Sequence, residues 1–303
     1  MEGKSLLFKM LGDVEVVPAC IHPRKSIKEE IDAIVNLLGN FEAINLEDIK
    51  APECFDVESG LQDLKIMPIF HDDQHGTAIV TLAGLINAVK VVEKKMDDCR
   101  VVINGAGAAG ITIANLLLDY GVKDIILCDS QGSIYKGRTK NMNPQKKSIA
   151  EVTNLSNRIG TLGDVIEGTD IFIGVSSEKA LKGHWVSKMN KKSIVFALAN
   201  PIPEIMPNDA KASGAYVYGS GRSDFENQIN NSLVFPGIFR AIMQHKIKEI
   251  TQEMKIKCAE AIAASITDSP RPNYIIPDSL DKDVAIRISK ELGKLMKSKK
   301  TVL

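Results

Sequence analysis

The sequence predicts an α/β protein of two domains, each built around a parallel sheet. Three observations indicate this fold class. The chain has 303 residues, a length that usually divides into two domains. Apolar segments of strand length alternate with segments of helical periodicity, which is typical of parallel strands joined by crossover helices. A glycine-rich turn at residues 105–110 separates one such strand from the helix that follows it.

The composition favours a soluble, globular, cytoplasmic protein. Hydrophobic residues make up 44% and charged residues 25% of the sequence. Lysine plus arginine and aspartate plus glutamate both number 38, so neither a nucleic acid nor a membrane surface is expected as the main partner. The five cysteines are scattered without metal-ligand spacing, as in a reduced protein. No apolar run reaches the roughly 18 to 20 residues of a membrane span, and the first residues do not resemble a secretory signal.

The first 71 residues predict a small α/β unit. Residues 1–12 have the pattern of a short helix, and the apolar run at 14–21 predicts a strand. Ser26 and Glu29 form the Ser-x-x-Glu pattern of a capping box, and the helix behind it is expected to end at Gly39. The next predicted elements are a strand at 43–46, a helix at 53–64 and a strand at 66–70.

Two of these strands run directly into pairs of acidic residues. Glu47 and Asp48 follow one strand, and Asp72 and Asp73 follow the other. Ligands of open parallel sheets bind beyond the carboxyl ends of the strands, where these carboxylates are expected to meet. Their hard oxygen atoms suit Mg²⁺ or Mn²⁺. The alternative is that each pair caps the next helix, although one acid would suffice for a cap and each pair supplies two.

The turn at 105–110 has the pattern of a dinucleotide-binding loop. A predicted strand at 100–104 precedes the G-x-G-x-x-G sequence, and a predicted helix follows it. The glycines let the backbone approach a pyrophosphate, and the helix N-terminus favours its charge. Asp129 ends the next strand, where an acid binds the ribose hydroxyls and repels a 2′-phosphate, so NAD is favoured over NADP. The predicted cofactor-binding residues are Gly105, Ala106, Gly107, Ala108, Ala109, Gly110 and Asp129.

The remaining segments predict an extension of the same sheet, followed by helices. Residues 130–147 are polar and predict a surface loop, and further strands are expected at 170–175, 193–199 and 215–218. Helical patterns cover about 238–267 and 282–297. The predicted domains are a catalytic, metal-binding domain of residues 1–71 plus 238–303, to which the C-terminal helices return, and a Rossmann dinucleotide-binding domain of residues 72–237.

Together these motifs resemble the malic enzymes, specifically the shorter bacterial type. The matching segments occur in the family's order and extend over essentially the whole chain. They are Glu-Gly-Lys at 2–4, Ile-Asn-Leu-Glu-Asp at 44–48, Phe-His-Asp-Asp-Gln-His-Gly-Thr-Ala at 70–78, the GAGAAG loop, Phe-Ala-Leu-Ala-Asn-Pro at 196–201, Gly-Arg-Ser-Asp at 221–224, and Asn-Asn with Phe-Pro-Gly between 230 and 237.

The resemblance implies metal-dependent oxidative decarboxylation of (S)-malate to pyruvate and CO₂, with reduction of NAD. Lys4 would be the general base, with a pKa lowered by a desolvated site, and Asp72 the carboxylate that partners it. A homodimer or higher homo-oligomer is also expected. The other implied site residues are Glu47, Asp48 and Asp73 for the metal, and Asn200 and Asn231 for the substrate carboxylate.

One family motif has no counterpart in this sequence. The family's proton donor to the enolate is a tyrosine in an N-terminal Tyr-Thr-Pro motif, and none of the five tyrosines here has that context. Impaired activity is therefore expected. Two alternatives stay open. One is another two-domain NAD dehydrogenase, of the amino-acid or methylene-tetrahydrofolate type, and the other is a catalytically weak NAD-binding module that acts in regulation or assembly.

Overall fold

A computed structural model of the chain describes residues 2–301, with side chains described as far as residue 298. Its first part is a small α/β unit whose two short strands pair in parallel. The helix expected at the start of the chain is present and continues into a π-helical turn at Phe8–Gly12. The elements of this unit are α1 (Glu2–Leu7), α2 (Ile27–Leu37), β1 (Ile44–Leu46), α3 (Glu53–Asp63) and β2 (Ile69–His71).

The cap of α2 lies where the sequence predicts it. The hydroxyl of Ser26 accepts a hydrogen bond from the amide of Glu29 at 3.3 Å. The carboxylate of Glu29 accepts from the amide of Lys25, one residue before the expected position. Gly39 follows the helix with a positive φ of 42°, as a residue beyond a helix C-terminus often does.

The prediction of a strand at 14–21 is wrong. The segment has no regular secondary structure, and only Val14 is buried, whereas the side chain of Val17 is 66% exposed. Asp13 turns the chain with a left-handed φ of 52° just before it, and Pro18 removes a backbone donor within it. An apolar run needs a neighbouring strand to become part of a sheet, and none pairs with this one among the described residues.

The two acidic pairs lie at one edge because their strands end side by side. Leu46 at the end of β1 is the register partner of His71 at the end of β2. The chain leaves β2 through a second π-helical turn, Asp72–Gly76, and enters helix α4 (Thr77–Val91). Isolated π-helical turns are frequent at functional sites. Helix α4 is buried on all sides from Ala78 to Val89, so this turn is anchored in the interior of the molecule.

A six-stranded sheet forms the centre of the second part of the chain. The strands are β3 (Arg100–Asn104), β4 (Asp124–Asp129), β5 (Gly132–Ser133), β6 (Ile171–Gly174), β7 (Ser193–Ala197) and β8 (Ala215–Ser220). Their order in the sheet is β5-β4-β3-β6-β7-β8, and every neighbouring pair is parallel except β4 with β5. Alternate residues of the strands contribute to two hydrophobic cores on opposite faces, so helices cover both sides.

The loop predicted at 130–147 is only partly irregular. It contains β5, whose Ser133 pairs with Cys128 of β4 in the antiparallel direction, and it ends in helix α6 (Pro144–Ala150). Asn143 caps that helix by accepting from the amide of Lys146 at 2.8 Å. The other helices of this part are α5 (Ala108–Asp119), α7 (Leu162–Val165), α8 (Gly183–Val186) and α9 (Pro207–Ala212).

The C-terminal helices pack back against the first part of the chain. Helix α11 (Gln252–Ala263) lies against α4, while α10 (Phe235–His245) lies against α12 (Lys282–Thr301) and the turn at Phe8–Gly12. The ring of Phe8 is 4.5 Å from that of Phe235, centroid to centroid. Helix α4 lies in the range predicted for the Rossmann domain, so the predicted domains and their boundaries stay a prediction. Across the described residues, no helix is long and apolar enough to cross a membrane.

Candidate active site

Lys4 lies between two of the acidic residues that the sequence singles out. Its ammonium group donates to Asp72 Oδ2 at 2.5 Å and also to Glu47 Oε2. The ammonium is 4.9 Å from the centre of the Phe235 ring, so α10 covers it on one side. The N-terminal helix, the end of β1 and the turn after β2 thus converge on one cation.

Burial dominates the electrostatics of this cluster. Asp72 is completely buried, which raises the pKa of its carboxyl to about 7 even though Lys4 acts in the opposite direction. Burial also raises the pKa of Glu47. For Lys4, burial lowers the pKa, but the two carboxylates outweigh it and leave the pKa above its ordinary value. The lowered pKa that the sequence analysis expects for Lys4 is therefore not found beside these two acids.

Asn231 joins the cluster from the turn before α10. Its side-chain amide donates to Asp72 Oδ2 at 2.5 Å. The other oxygen of Asp72, Oδ1, is buried without a hydrogen-bond partner in the described part of the chain. A Cβ atom on Gly76 would overlap Oδ1, so a glycine is needed at the end of the turn to leave room for this carboxylate.

The two remaining acids face more open surroundings. Asp73 Oδ2 accepts from the backbone amide of Asp48 at 2.8 Å, and the side chain of Asp73 is 41% exposed. Asp48 has a positive φ of 58° and is exposed. Within residues 2–298, whose side chains are described, no three His, Cys, Asp or Glu side chains are arranged as a ready metal site. The carboxylate oxygens of Glu47, Asp48 and Asp73 nevertheless have the chemistry that a hard divalent cation such as Mg²⁺ prefers.

Asn200 is the one predicted substrate residue with no contact to this cluster. It is exposed just beyond β7, and its amide nitrogen packs near Gly221 at the carboxyl end of β8. Asn200 thus lies beyond the end of β7, and Asn231 lies in the turn before α10. Of the two, Asn231 is the one that contacts Asp72.

The glycine-rich turn has the shape its sequence predicts. Gly105 has a φ of 121°, a conformation that favours glycine, and a Cβ atom there would meet the carbonyl of Val175. A Cβ on Gly110 would overlap the carbonyl oxygen of Gly105, whereas Gly107 has free space around it. Gly107 precedes the first turn of α5, where backbone amides favour an anion.

Asp129 is fully occupied by its own neighbours. Arg138 Nη2 donates to both carboxylate oxygens, at 2.7 and 2.9 Å, and Lys146 Nζ donates to Oδ2 at 2.7 Å. The side chain of Asn141 and the amide of Gln131 supply two further hydrogen bonds. A carboxylate has about four acceptor positions. Asp129 thus holds the segment that follows β4 through hydrogen bonds, and its negative charge is balanced by two cations, Arg138 and Lys146.

A second buried cluster, which the sequence does not predict, lies beside the turn at Asp72–Gly76. His75 Nε2 is 2.8 Å from Glu58 Oε1, and Lys255 Nζ is 3.1 Å from His75 Nδ1. These groups line a cavity of about 160 Å³ between α3, α5, α11 and the turn. Burial lowers the pKa of Lys255 to about 8. His75 stands in the Asp-Asp-Gln-His run and could have been suspected, whereas nothing in the sequence distinguishes Lys255 from the other lysines.

Comparison with known proteins places the chain in a family. Residues 74–295 match the family model "Malic enzyme, NAD binding domain". The chain is 48% identical to the bifunctional malic/malolactic enzyme of Bacillus subtilis, over 97% of this chain and 72% of that protein. It is also 48% identical to the NAD-dependent malic enzyme of Geobacillus stearothermophilus, over 95% of this chain and 60% of that protein.

A solved structure gives the same result. The crystal structure of the NAD-dependent malic enzyme of Thermotoga maritima superposes with a TM-score of 0.92 at 40% identity, covering 96% of this chain and 77% of that one. This likeness confirms the parallel-dominated α/β fold with a Rossmann-type NAD-binding domain. Similar proteins include malic enzymes named for NAD and others named for NADP. The chain is a member of the malic enzyme family.

Proposed function

We propose that this chain catalyses the oxidative decarboxylation of malate to pyruvate and CO₂ in the cytoplasm, with a nicotinamide dinucleotide as oxidant and a divalent metal as cofactor. The observation that carries the proposal is the position of Lys4, whose ammonium contacts Glu47 and Asp72 at the shared edge of β1 and β2. A base, a buried acid partner and further carboxylates are the groups that proton removal beside a metal requires.

In this proposal Lys4 takes the proton of the malate hydroxyl. It must first be neutral, and its proton can pass to Asp72 across the 2.5 Å contact. Burial raises the pKa of Asp72 to about 7, which makes this carboxylate a better proton acceptor than an ordinary aspartate, although Lys4, with its raised pKa, holds the proton more tightly in the contact as it stands. Asn231 holds Asp72 in place and presents its polar side chain to the same space. Asn200 would bind the substrate carboxylate from the carboxyl end of the larger sheet.

The carboxylates of Glu47, Asp48 and Asp73 are the residues that would hold the metal, with Asp72 beside them as the partner of Lys4. When bound, Mg²⁺ or Mn²⁺ would stabilise the negative charge that develops on the substrate oxygen during decarboxylation. Asp73 is already held at this edge by the amide of Asp48, whereas Oδ1 of Asp72 lies against Gly76.

The preference for NAD over NADP stays a prediction. The repulsion by Asp129 on which it rests is weakened by the contacts of that residue. NAD is favoured in the sequence analysis because Asp129 would repel a 2′-phosphate. Here that charge is balanced by Arg138 and Lys146. The five N–H groups of Arg138 all have acceptors, whereas Lys146 uses two of its three protons, on Asp129 and on the carbonyl of Asn141. Lys146 is therefore the cation that a 2′-phosphate would meet.

Malate-dependent reduction of NAD and of NADP, followed by absorbance with and without Mn²⁺, tests the proposal. We expect turnover that stops on chelation of the metal. Lys4→Ala should lower it by about 10²-fold or more, as loss of a general base does. Lys9→Ala is the matched control, because Lys9 is an exposed lysine just beyond α1 that pairs with Asp13 and Glu15.

A binding measurement separates the alternative. If the chain binds dinucleotide and Mn²⁺ but reduces neither dinucleotide with malate, it acts as a binding module in regulation or assembly instead. Equal turnover by Lys4→Ala and the unchanged chain would remove Lys4 from the mechanism.

A further inference from the structure

A carboxylate outside the Lys4 cluster is completely buried at the carboxyl edge of the larger sheet. Glu204 lies just after β7 with 0% of its surface exposed. No Lys, Arg or His side chain within the described residues forms an ion pair with it. Burial raises the pKa of Glu204, which reflects the cost of holding this group in an apolar place. A buried acid without a cation needs an explanation in its contacts.

The contacts of Glu204 join two neighbouring loops. Its Oε1 accepts a hydrogen bond from the backbone amide of Ser176 at 2.9 Å, in the loop after β6. Its Oε2 accepts from the backbone amide of Ala199 at 3.1 Å, in the loop after β7. Each oxygen therefore fixes the backbone of one loop at the edge where ligands of such sheets bind.

The loop after β6 is connected to the dinucleotide turn. The hydroxyl of Ser176 accepts from the side chain of Asn104 at 2.8 Å, and Asn104 directly precedes Gly105. The neighbouring carbonyl of Val175 packs so closely on Gly105 that a Cβ there would overlap it. A shift of Ser176 would therefore be transmitted to the first glycine of the turn.

The loop after β7 leads directly to a proposed substrate residue. Ala199 is followed by Asn200, whose side chain would bind the substrate carboxylate. The hydrogen bond from the backbone amide of Ala199 to Glu204 thus holds the residue directly before Asn200. We propose that Glu204 is a positioning residue that holds the dinucleotide turn and the Asn200 loop in a fixed mutual arrangement; the substrate half of this inference rests on the proposed function.

The chemistry of a carboxylate suits this task better than that of an amide. Both oxygens of Glu204 accept from backbone N–H groups, so the side chain needs two acceptors. Glutamine offers one acceptor oxygen and an NH₂ group that would face a backbone N–H. The side chain also depends on Gly174, because a Cβ atom there would overlap the carboxyl carbon of Glu204. Gly174 ends β6 and leaves the space that Glu204 fills.

Two variants disturb the link by different means. Glu204→Gln keeps the size of the side chain, removes the buried charge and loses one acceptor. Gly174→Ala keeps the charge but pushes the carboxylate away from the two amides. Asp170→Asn is the control at the opposite edge of the sheet. Asp170, just before β6, is also buried and also accepts from a backbone amide, that of Arg100 at 2.8 Å, but unlike Glu204 it pairs with a cation, Lys94.

The experiment compares kinetics, dinucleotide binding and hydrogen exchange in these variants of the 303-residue chain. For Glu204→Gln and Gly174→Ala we expect kcat for malate oxidation to fall by about 10- to 100-fold, the size of effect that misplaced binding groups produce. The dissociation constant for the dinucleotide should rise, and the amides in peptides that contain Ser176 and Ala199 should exchange faster. Asp170→Asn should leave kcat, dinucleotide affinity and both peptides unchanged.

The outcomes separate this inference from the proposed function. If the unchanged chain does not oxidise malate, the proposed function fails, but the dinucleotide and exchange measurements still decide the role of Glu204. Unchanged dinucleotide affinity and unchanged exchange in Glu204→Gln would overturn the inference. The inference would also be overturned if Glu204→Gln and Asp170→Asn lowered the melting temperature equally and lowered kcat equally. The effect would then be general destabilisation.

Discussion

At the scale of single residues, a charge is best understood through what surrounds it. Asp129 occupies the position of an acid that selects NAD, yet it accepts five hydrogen bonds from its own chain. Lys4 lies beside two carboxylates that keep its pKa above the ordinary value. The neighbours that set the charge lie 9 and 17 residues from Asp129, and 43 and 68 residues from Lys4. A sequence pattern does not pair individual side chains over such separations.

Replacing Lys146 tests which cation would meet a 2′-phosphate. Lys146→Ala should weaken NADP binding by about 10-fold relative to NAD, because a charge-assisted hydrogen bond is worth about 1.5 to 3 kcal/mol and part of that is lost to water. Titration with both dinucleotides, followed by fluorescence, measures the ratio. Lys147→Ala is the control, since Lys147 is exposed on the same helix. An unchanged ratio in Lys146→Ala would exclude Lys146 as a determinant.

The buried Lys255 predicts an unusual dependence of stability on pH. Its pKa falls from 10.5 to about 8 on folding because it is buried, so the unfolded chain holds the proton more tightly. The folded state is therefore penalised at low pH, by about 3 kcal/mol below pH 8, and the penalty fades as the pH rises towards 10.5.

Urea unfolding of the unchanged chain and of Lys255→Met measures this penalty. Relative to the variant, the unchanged chain should gain about 2 kcal/mol of stability between about pH 7 and about pH 10. Relative to Lys257→Met, the unchanged chain should show no such gain. Lys257 is partly exposed on the same helix and pairs with Glu260, which raises the pKa of Lys257. Parallel pH profiles for the unchanged chain and Lys255→Met would contradict the account.

At the scale of elements, the glycine turn offers two glycines with opposite surroundings. Gly110→Ala should destabilise the fold by about 1 to 3 kcal/mol, because its Cβ would overlap the carbonyl of Gly105 and the core tolerates such overpacking poorly. Gly107→Ala has free space and should fold normally. Thermal unfolding of both variants provides the test, and equal melting temperatures would show that the turn adapts.

The elements also show which structural features a sequence can predict. Strong signals recovered β3, β4 and α5, because the apolar strands, the turn and the helix lie in one continuous stretch. The prediction for the segment at 14–21 failed because an apolar run forms a strand only where a neighbouring strand can pair with it, and the pattern does not specify that partner. The Glu204 link is invisible in sequence for a related reason: its acceptors meet backbone amides 28 and five residues away, and any residue can supply an amide.

At the scale of the whole molecule, exposed apolar side chains are concentrated at its beginning. Seven of the 14 large hydrophobic residues that are exposed in the described part of the chain lie before residue 67. They include Leu6, Met10, Phe41 and Ile66, which are 46% to 58% exposed. Where exposed apolar side chains form a contiguous patch, that patch often marks an interface, and closed homo-oligomers are the commonest assemblies.

We predict that this chain forms a homodimer or a higher homo-oligomer through its first α/β unit. Light scattering coupled to size-exclusion chromatography should give a mass that is a multiple of 33.1 kDa at micromolar concentration. Phe41→Lys and Ile66→Lys should shift the mass towards the monomer, because a charge buried in an apolar contact is costly. Tyr216→Lys and Ile286→Lys, at residues of similar exposure in later parts of the chain, should not. A single sharp monomer peak for the unchanged chain would contradict the prediction, and an equal effect of all four variants would assign the interface to another face.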